Sequence, residues 1–171
     1  MALNIDSIRA AFQNGDFARP NLFEVEIPSI GRDFKVKCRG TNLPAGIIDQ
    51  VEVSYQNRKI KLAGDRTYEE WTVTVYNDVE HNTRQSFIDW QHQAVAMGKA
   101  IYGENPDAYK KQSLVRQFNR QGEETAVYNI YGIFPTNVGE VALDWETNNE
   151  VETFEVTFAM DFWTFGDGLN V

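Results

Sequence analysis

The chain has 171 residues, of which 42% are hydrophobic and 24% are charged, and this composition is typical of one ordinary globular domain. Aromatic residues make up 13% of the chain, which favours strands and large buried contacts. The sequence has no run of 18 apolar residues, so we expect no membrane span. Its first residues do not consist of a basic stretch followed by an apolar one, so we expect no secretory signal. Cys38 is the single cysteine, which excludes an internal disulfide framework and fits assembly in a reducing compartment.

Charge is unevenly distributed along the chain. The net charge is −9, yet all 16 basic residues lie at or before Arg120, and eight of them fall between Arg32 and Arg66. Residues 121–171 hold ten acidic residues and no basic one. This division has two interpretations: chance combined with a solvated acidic face, or oppositely charged surfaces that meet in an oligomer. A net acidic chain is a poor candidate for tight binding of nucleic acid, because such binding requires Lys and Arg to neutralise phosphate.

The first third of the chain predicts one short helix followed by strands. Ile5, Ile8 and Phe12 have helical spacing and precede Gly15, which predicts a helix over 5–12. Alternation predicts a strand over Leu22–Ile27 and another through Phe34, Val36 and Cys38. That second alternation places Cys38 on the apolar side, so we expect a buried, inert thiol.

The middle of the chain predicts a loop, a hairpin, a strand and one long helix. Gly40, Pro44 and Gly46 indicate a loop over 40–50. Val51–Tyr55 and Ile60–Leu62 then form the arms of a hairpin around Gln56 and Asn57. A strand follows over Trp71–Tyr76. The helix has Asp78 as its predicted N-cap and ends at Gly98, and its apolar stripe comprises Phe87, Trp90, Ala94 and Met97.

The last third predicts a loop over 99–111 and then more strands. Leu114–Phe118 is one strand, and Val127–Phe134 is apolar on both faces, as in a central strand. Thr153–Phe162 alternates most clearly, with Phe154, Val156, Phe158, Met160 and Phe162 on one face. Residues 166–171 are expected to be a mobile tail. Because strands outnumber helices and no β-α-β rhythm occurs, we predict a mostly β fold: an antiparallel β sandwich or partial barrel with one flanking α-helix.

The sequence carries no recognisable catalytic or metal-binding pattern. His81 and His92 are about 16 Å apart along a helix, too far to share an ion. Adjacent acidic residues such as Glu69 and Glu70 point to opposite faces of a strand, which indicates solvated charge. No phosphate-binding or nucleophile motif occurs. We therefore predict no enzymatic activity, no metal and no cofactor; a small enzyme or ligand-binding β domain is the alternative from a different class.

Several long stretches do resemble a known family. They are GDFARPNLFEVEI (15–27), LPAGI (43–47), NRKIKLAGDRTYEEWTVTVYND (57–78), RQSFIDWQ (84–91), YKKQSLVRQ (109–117) and PTNVGEVALDWETNNEVETFEVTFAMDFW (135–163). Together they resemble the tail tube proteins of T-even-type contractile-tailed bacteriophages, over roughly residues 5–163. The resemblance implies one tail-tube domain over 1–171, with a core at 5–163 and a C-terminal tail at 164–171.

The resemblance also implies a structural role in the tail of the virion. Members of this family form hexameric rings that stack into a tube inside a contractile sheath, and each subunit gives strands to a continuous β-barrel around a channel for DNA. The implied partners are further copies of the chain, the tail sheath protein, the baseplate tube-initiator and tail-terminator proteins, and genomic DNA as passing cargo. The implied location is the virion tail, assembled in the host cytoplasm, without a membrane anchor. The alternatives are a baseplate tube initiator and the tube protein of a bacterial contractile injection or type VI secretion system.

Two groups of residues are candidates for these roles. Small hydroxyl side chains and sparse carboxylates share a strand face without any basic residue, which suits a wall past which DNA slides. The channel-lining candidates are Thr72, Thr74, Thr153, Glu155 and Thr157. The alternative is that this face meets the helix or the sheath. The loop 40–50 and the hairpin 51–62 have basic residues and few acids, and we expect the basic residues in and beside them to meet acidic partners from 121–171 of a neighbour. The inter-subunit candidates are Arg39, Leu43, Pro44, Arg58, Lys59, Lys61 and Arg66. The alternative is an exposed hairpin with ordinary solvated charges.

Overall fold

The computed structural model describes Ile5, residues 17–99 and residues 101–166. Nine strands and three helices lie within these residues. The strands are β1 (Phe23–Glu26), β2 (Cys38–Thr41), β3 (Gly46–Tyr55), β4 (Arg58–Tyr68), β5 (Trp71–Tyr76), β6 (Lys111–Phe118), β7 (Glu124–Val138), β8 (Thr153–Ala159) and β9 (Phe162–Phe165). The helices are α1 (Phe34–Lys37), α2 (Asn82–Ala94) and α3 (Pro106–Tyr109). The prediction of a mostly β fold with one substantial helix is confirmed.

Strand β7 belongs to two sheets. The antiparallel order is β1-β6-β7-β8-β5-β2, with β9 also pairing with β7. The first half of β7 pairs with β6 and β9, and its last residues pair with β8. Between the halves, Gly132 has a φ of +66°, and a β-carbon there would collide with the Asp161 carboxyl. Glycine therefore permits the bend by which β7 passes from the first sheet (β1, β6, β9) to the second sheet (β8, β5, β2).

The core lies between the two sheets and α2. Strand β5 buries Trp71, Val73 and Val75, and β8 buries alternate residues in the same way. Helix α2 packs onto this layer, with the Phe87 ring 5.9 Å and the Trp90 ring 5.8 Å from Phe158, centroid to centroid. Full burial of such a side chain contributes about 1.5–3 kcal/mol. The other faces of β5 and β8 consequently point away from the helix.

The predicted strand through Phe34, Val36 and Cys38 is wrong over its first half. Residues 34–37 form the single helical turn α1, and the strand begins at Cys38. The reason is that Phe34 alone is taken into the core, 5.7 Å from the Phe87 ring, while Val36 is 84% exposed. Cys38 is half-buried, and burial raises the pKa of its thiol to about 12. The thiol is therefore protonated, as an inert cysteine should be.

The strand predicted over Thr153–Phe162 is broken in the structure. Strand β8 ends at Ala159, and β9 begins at Phe162. At the break, the Asp161 amide donates to the Tyr131 carbonyl, and Lys110 Nζ lies 2.7 Å from Asp161 Oδ1. In β9, Trp163 packs against the core, whereas Phe162 stacks on the Tyr131 ring, so the predicted apolar face does not continue through the break.

The long helix is shorter at both ends than the predicted span from an Asp78 N-cap to Gly98. The N-cap position is occupied by His81, so the predicted Asp78 N-cap is wrong. The helix begins at Asn82, and the Asp78 carboxylate accepts the Thr83 backbone N–H at 3.1 Å from the preceding turn. That hydrogen bond, aided by Lys37, lowers the pKa of Asp78. The helix ends at Ala94, because the Ala96 amide donates to the Tyr102 carbonyl instead of continuing the helix, so Met97 is exposed.

Several boundaries also differ. The predicted loop 40–50 is limited to 42–45, because β2 extends to Thr41 and β3 begins at Gly46. The loop 99–111 contains α3, and the strand predicted from Leu114 starts at Lys111. The central strand predicted at Val127–Phe134 is the middle of β7. The helix predicted over 5–12 lies, apart from Ile5, outside the described residues, as does the tail beyond Gly166.

Candidate functional site

The outer face of the second sheet brings together all five channel-lining candidates. Strands β5 and β8 are antiparallel, with Thr72 opposite Thr157 and Thr74 opposite Glu155. Thr153 lies opposite Tyr76 at the end of the same pair. Directly opposite residues share a face and have β-carbons about 5 Å apart. The face is therefore a row of hydroxyl groups with one exposed carboxylate.

This face does not pack against the helix. Alternation along β5 and β8 directs Val73 and Phe154 inward, and the Phe87 ring of α2 lies 6.1 Å from Phe154, on that inner side. The threonines and Glu155 point the other way, and none of them is buried. The alternative in which the helix covers this face is therefore wrong.

The same face forms an open groove with a wider lining than the sequence indicated. Besides the candidates Thr74, Thr153, Glu155 and Thr157, its lining includes Arg39, Gly40, Asn137, Gly139 and Glu140. Asn137 belongs here because it lies opposite Thr157 across β7 and β8. The sequence interpretation missed it, since the bend in β7 decides which half joins this sheet. Arg39, one of the inter-subunit candidates, also lines this groove together with Glu155.

The groove contains no recognisable catalytic arrangement. Its polar groups are hydroxyls, one amide, two carboxylates and the Arg39 guanidinium, and no group of three metal-ligating side chains occurs in the described part of the chain. The histidines lie elsewhere, at the start of α2 and on its last turn. Such a surface can be wetted and can carry a potential, but it has no nucleophile with an adjacent base.

Strands β3 and β4 form the second candidate surface, a long hairpin. They pair with each other from Gly46 and Tyr68 to Tyr55 and Arg58, as a two-stranded sheet separate from the other seven strands. Gln56 and Asn57 both have positive φ, 43° and 63°, as a type I′ turn requires. The predicted hairpin is confirmed, and it is much longer than the alternating runs alone suggested.

The hairpin has one apolar face that the described residues leave uncovered. Val51 lies opposite Leu62, and Val53 lies opposite Ile60. Val53 is 46% exposed and Ile60 is 56% exposed. The reverse face is polar, with Glu52 opposite Lys61. A two-stranded hairpin is marginally stable alone in water, so an uncovered apolar face of this length is suited to a partner.

The basic candidates are distributed over both faces of the hairpin. Arg58 lies opposite Tyr55 at the end of the apolar face, whereas Lys59 and Lys61 lie on the polar face. Lys59 Nζ is 2.7 Å from Glu52 Oε2 within the chain, in an exposed pair that contributes little to stability. Arg66 lies opposite Ile48, nearer the base of the hairpin.

The segment that leads into the hairpin is held by two tryptophans. The Trp71 indole N–H donates to the Asn42 carbonyl at 2.9 Å, and the Trp163 indole N–H donates to the Ala45 carbonyl at 3.1 Å. Between these bonds, Leu43 is 40% exposed and Pro44 is buried. The base of the hairpin is thus fixed to the second sheet and to β9.

Comparison with known proteins places the chain among phage tail proteins. Residues 19–164 match the family of the T4-like virus tail tube protein gp19. The tail tube protein gp19 of Enterobacteria phage T4 is 52% identical over 160 residues, covering 93% of this chain and 98% of that protein; gp19 of phage T6 matches to the same extent. The tail tube protein of Serratia phage KSP90 is 24% identical over 123 residues, 72% of this chain and 70% of that protein.

Solved structures with the same fold come from contractile injection particles. A chain of the PVC sheath–tube complex in its extended state has a TM-score of 0.65 at 17% identity, covering 92% of this chain and 96% of its own. A chain of the cap that terminates the tube of the anti-feeding prophage has a TM-score of 0.65 at 20% identity. The match covers 92% of this chain and 99% of that chain. In the part of this chain that is described, no helix is long and apolar enough to cross a membrane.

Proposed function

Because this chain belongs to the T4-like virus tail tube protein family, we propose that its copies close into hexameric rings around a channel for DNA, with the outer face of the second sheet as the channel wall. The chain is a structural subunit of a phage tail tube and a component of the virion. The family is a structural one, which agrees with the expectation of no enzymatic role. The whole chain is taken as one tail-tube domain.

The second sheet contains four strands, which we take as the contribution of each subunit to the barrel. It consists of the end of β7 with β8, β5 and β2, and among the described strands β2 is an edge strand that pairs with β5 alone. An open edge is stabilised when another chain pairs with it. Six such sheets make roughly 24 strands, and at a spacing of about 4.8 Å and a tilt of about 40° they close into a barrel about 48 Å across.

The observation that carries the proposal is the composition of the outer face of the second sheet. Thr72 and Thr157 offer hydroxyl groups to water, and Glu155 adds a negative charge. DNA phosphates are held by clusters of Lys and Arg. The lining has one base, Arg39, beside the carboxylates of Glu140 and Glu155. A polar, mainly negative wall favours passage of DNA as cargo without tight binding.

The hairpin and its base are proposed as contacts to a neighbouring subunit. The basic residues of the hairpin in this set are Arg58, Lys59, Lys61 and Arg66. Arg39 on β2, and Leu43 and Pro44 in the segment that leads into the hairpin, complete the set. Their partners are acidic residues from 121–171 of the next copy, a segment without any base. The tail sheath, the baseplate tube initiator and the tail terminator are proposed as the remaining partners.

The wall assignment is tested by reversing the charge of Glu155. Glu155→Lys should leave tubes intact in electron micrographs, since the side chain is exposed, but should place six new cations in every ring. Ejection of DNA from particles that carry this variant should slow in low salt and recover as salt screens the charge. Glu104→Lys is the matched control, because Glu104 is exposed and lies on the helix side, with its amide bonded to the Gln93 carbonyl.

Two outcomes would count against this function. If purified protein gives single rings and never tubes, the alternative of a baseplate tube initiator is favoured. If Glu155→Lys tubes eject DNA in low salt at the parental rate, with the new lysine exposed in the channel, this face does not set the potential of the wall.

A further inference from the structure

The segment between β7 and β8 carries an exposed tryptophan at a structured turn. Residues 139–152 have no regular secondary structure, and Trp145 is 99% exposed within them. The backbone N–H of Glu146 donates to the Asp144 carboxylate at 3.0 Å, and the backbone N–H of Asn148 donates to the backbone carbonyl of Glu146 at 3.1 Å. These bonds fold the tip of the segment, so the indole is presented by a defined turn.

Both ends of this segment are fixed to the body of the protein. The Gly139 amide donates to the Glu155 carbonyl at 2.7 Å, and Arg84 from α2 donates to the Gly139 carbonyl at 3.2 Å. At the other end, the backbone N–H of Asn77 donates to the backbone carbonyl of Glu152 at 2.9 Å. Fixed ends lower the conformational entropy that the tip loses when it binds a partner.

The tip combines apolar and acidic side chains. Leu143 is 82% exposed beside Trp145, and acidic residues flank both of them. Residues 139–152 contain five acidic residues and no basic one. Exposing nearly all of Trp145 and most of Leu143 to water is unfavourable, and tryptophan is enriched among residues that dominate binding energy at interfaces.

The hairpin offers the complementary surface. Its apolar face consists of the cross-strand pairs Val51 with Leu62 and Val53 with Ile60, and Arg58 stands at its end, opposite Tyr55. Arg58 is exposed, and among the described residues it has no ion pair. Both surfaces stay exposed on one chain, and every copy in a tube carries both of them.

From these observations, and resting on the proposed tube function, we propose that the tip of the 139–152 segment docks onto the apolar face of the hairpin of a second copy. Leu143 and Trp145 cover the rows formed by Val53 with Ile60 and Val51 with Leu62. The carboxylates of Asp144 and Glu146 face Arg58, so that apolar contact and opposite charge coincide. A contact between two different surfaces of identical chains repeats from copy to copy, as growth of a tube requires.

The test measures the critical concentration for tube assembly by sedimentation and electron microscopy. Trp145→Ala should raise this concentration at least about tenfold, since truncation removes the anchor of the contact. Ile101→Ala, at another fully exposed apolar side chain outside both surfaces, should leave it unchanged. Thermal unfolding below the critical concentration should be the same for both variants, because neither side chain is buried in the monomer.

A charge exchange identifies the partner surface. Asp144→Lys combined with Glu146→Lys should impair assembly, Arg58→Glu should impair it too, and the three substitutions together should restore it. Normal assembly by Trp145→Ala would overturn the docking, leaving the tip for another partner such as the sheath. Failure of the exchange to restore assembly would overturn the pairing with the hairpin. In both cases parental tubes uphold the tube function, whereas a parental chain that forms no tubes would overturn that function and this docking together.

Discussion

Replacing the apolar rows of the hairpin by polar side chains of similar shape should separate assembly from folding. In the double variant Val53→Thr, Ile60→Thr both positions stay β-branched, so the strands keep a residue type that suits them. About half of each side chain is exposed in the single chain. The free energy of unfolding of this variant's monomer should differ from that of the parent by no more than about 0.5 kcal/mol, as for other surface substitutions.

The effect on assembly follows from the exposed area that a neighbour covers. Full burial of Val or Ile contributes about 1.5–3 kcal/mol, and about half of each side chain is left to bury, which gives about 1 kcal/mol each. The two substitutions therefore weaken each contact by about 2 kcal/mol. That loss raises the critical concentration for tube growth about 30-fold.

The matched control is a valine on the inner face of the second sheet. Val73 is fully buried, and Val73→Thr places a hydroxyl group in the core, which should lower the free energy of unfolding by about 1–3 kcal/mol. Denaturant unfolding of monomer and sedimentation of tubes measure the two quantities. If Val53→Thr, Ile60→Thr leaves the critical concentration unchanged while the monomer is folded, the apolar face of the hairpin is not covered in the tube.

Three further predictions address charge, packing and pH. Replacing Arg58, Lys59 and Lys61 together by Glu should block tube growth and leave a folded monomer by circular dichroism; normal tubes would exclude the contact of these bases with a neighbour's acidic residues. Phe158→Ala should lower the free energy of unfolding by about 3–5 kcal/mol in a denaturant titration, because Trp71, Phe87 and Trp90 all pack on this ring; a loss below about 1 kcal/mol would contradict that packing. The pKa of Asp78 is lowered chiefly by the Thr83 amide, so its stabilising effect is present above its unfolded pKa of about 3.9 and is lost as pH falls through the lower folded value. Asp78→Asn should therefore have a lower melting temperature than the parent at neutral pH, with the difference shrinking in acid; a constant difference would show that the carboxylate charge is not responsible.

Alternation and turn chemistry in the sequence determined most individual elements. Side chains alternate between the two faces of the strand Trp71–Tyr76, so Val73 and Thr74 lie on opposite faces whichever strands pair beside them. The same holds for Val156 and Thr157. A turn at Gln56 and Asn57 could be predicted because the flanking runs alternate on both sides. The local pattern therefore predicted that the five channel-lining candidates are on outward faces.

Tertiary structure decided which of these faces lie together and where elements end. The alternation of apolar residues in the sequence continues from Phe158 to Phe162, yet strand β8 ends at Ala159, because Asp161 bonds to Tyr131 and Lys110 across the fold. Phe34 enters a space beside Phe87 that the sequence does not reveal, which makes its segment helical. Asn137 joins the groove because β7 bends at Gly132, and the hairpin's apolar face stays exposed because the other described elements pack elsewhere. Periodicity reports the two sides of one strand, whereas pairing across dozens of residues depends on contacts that no local pattern contains.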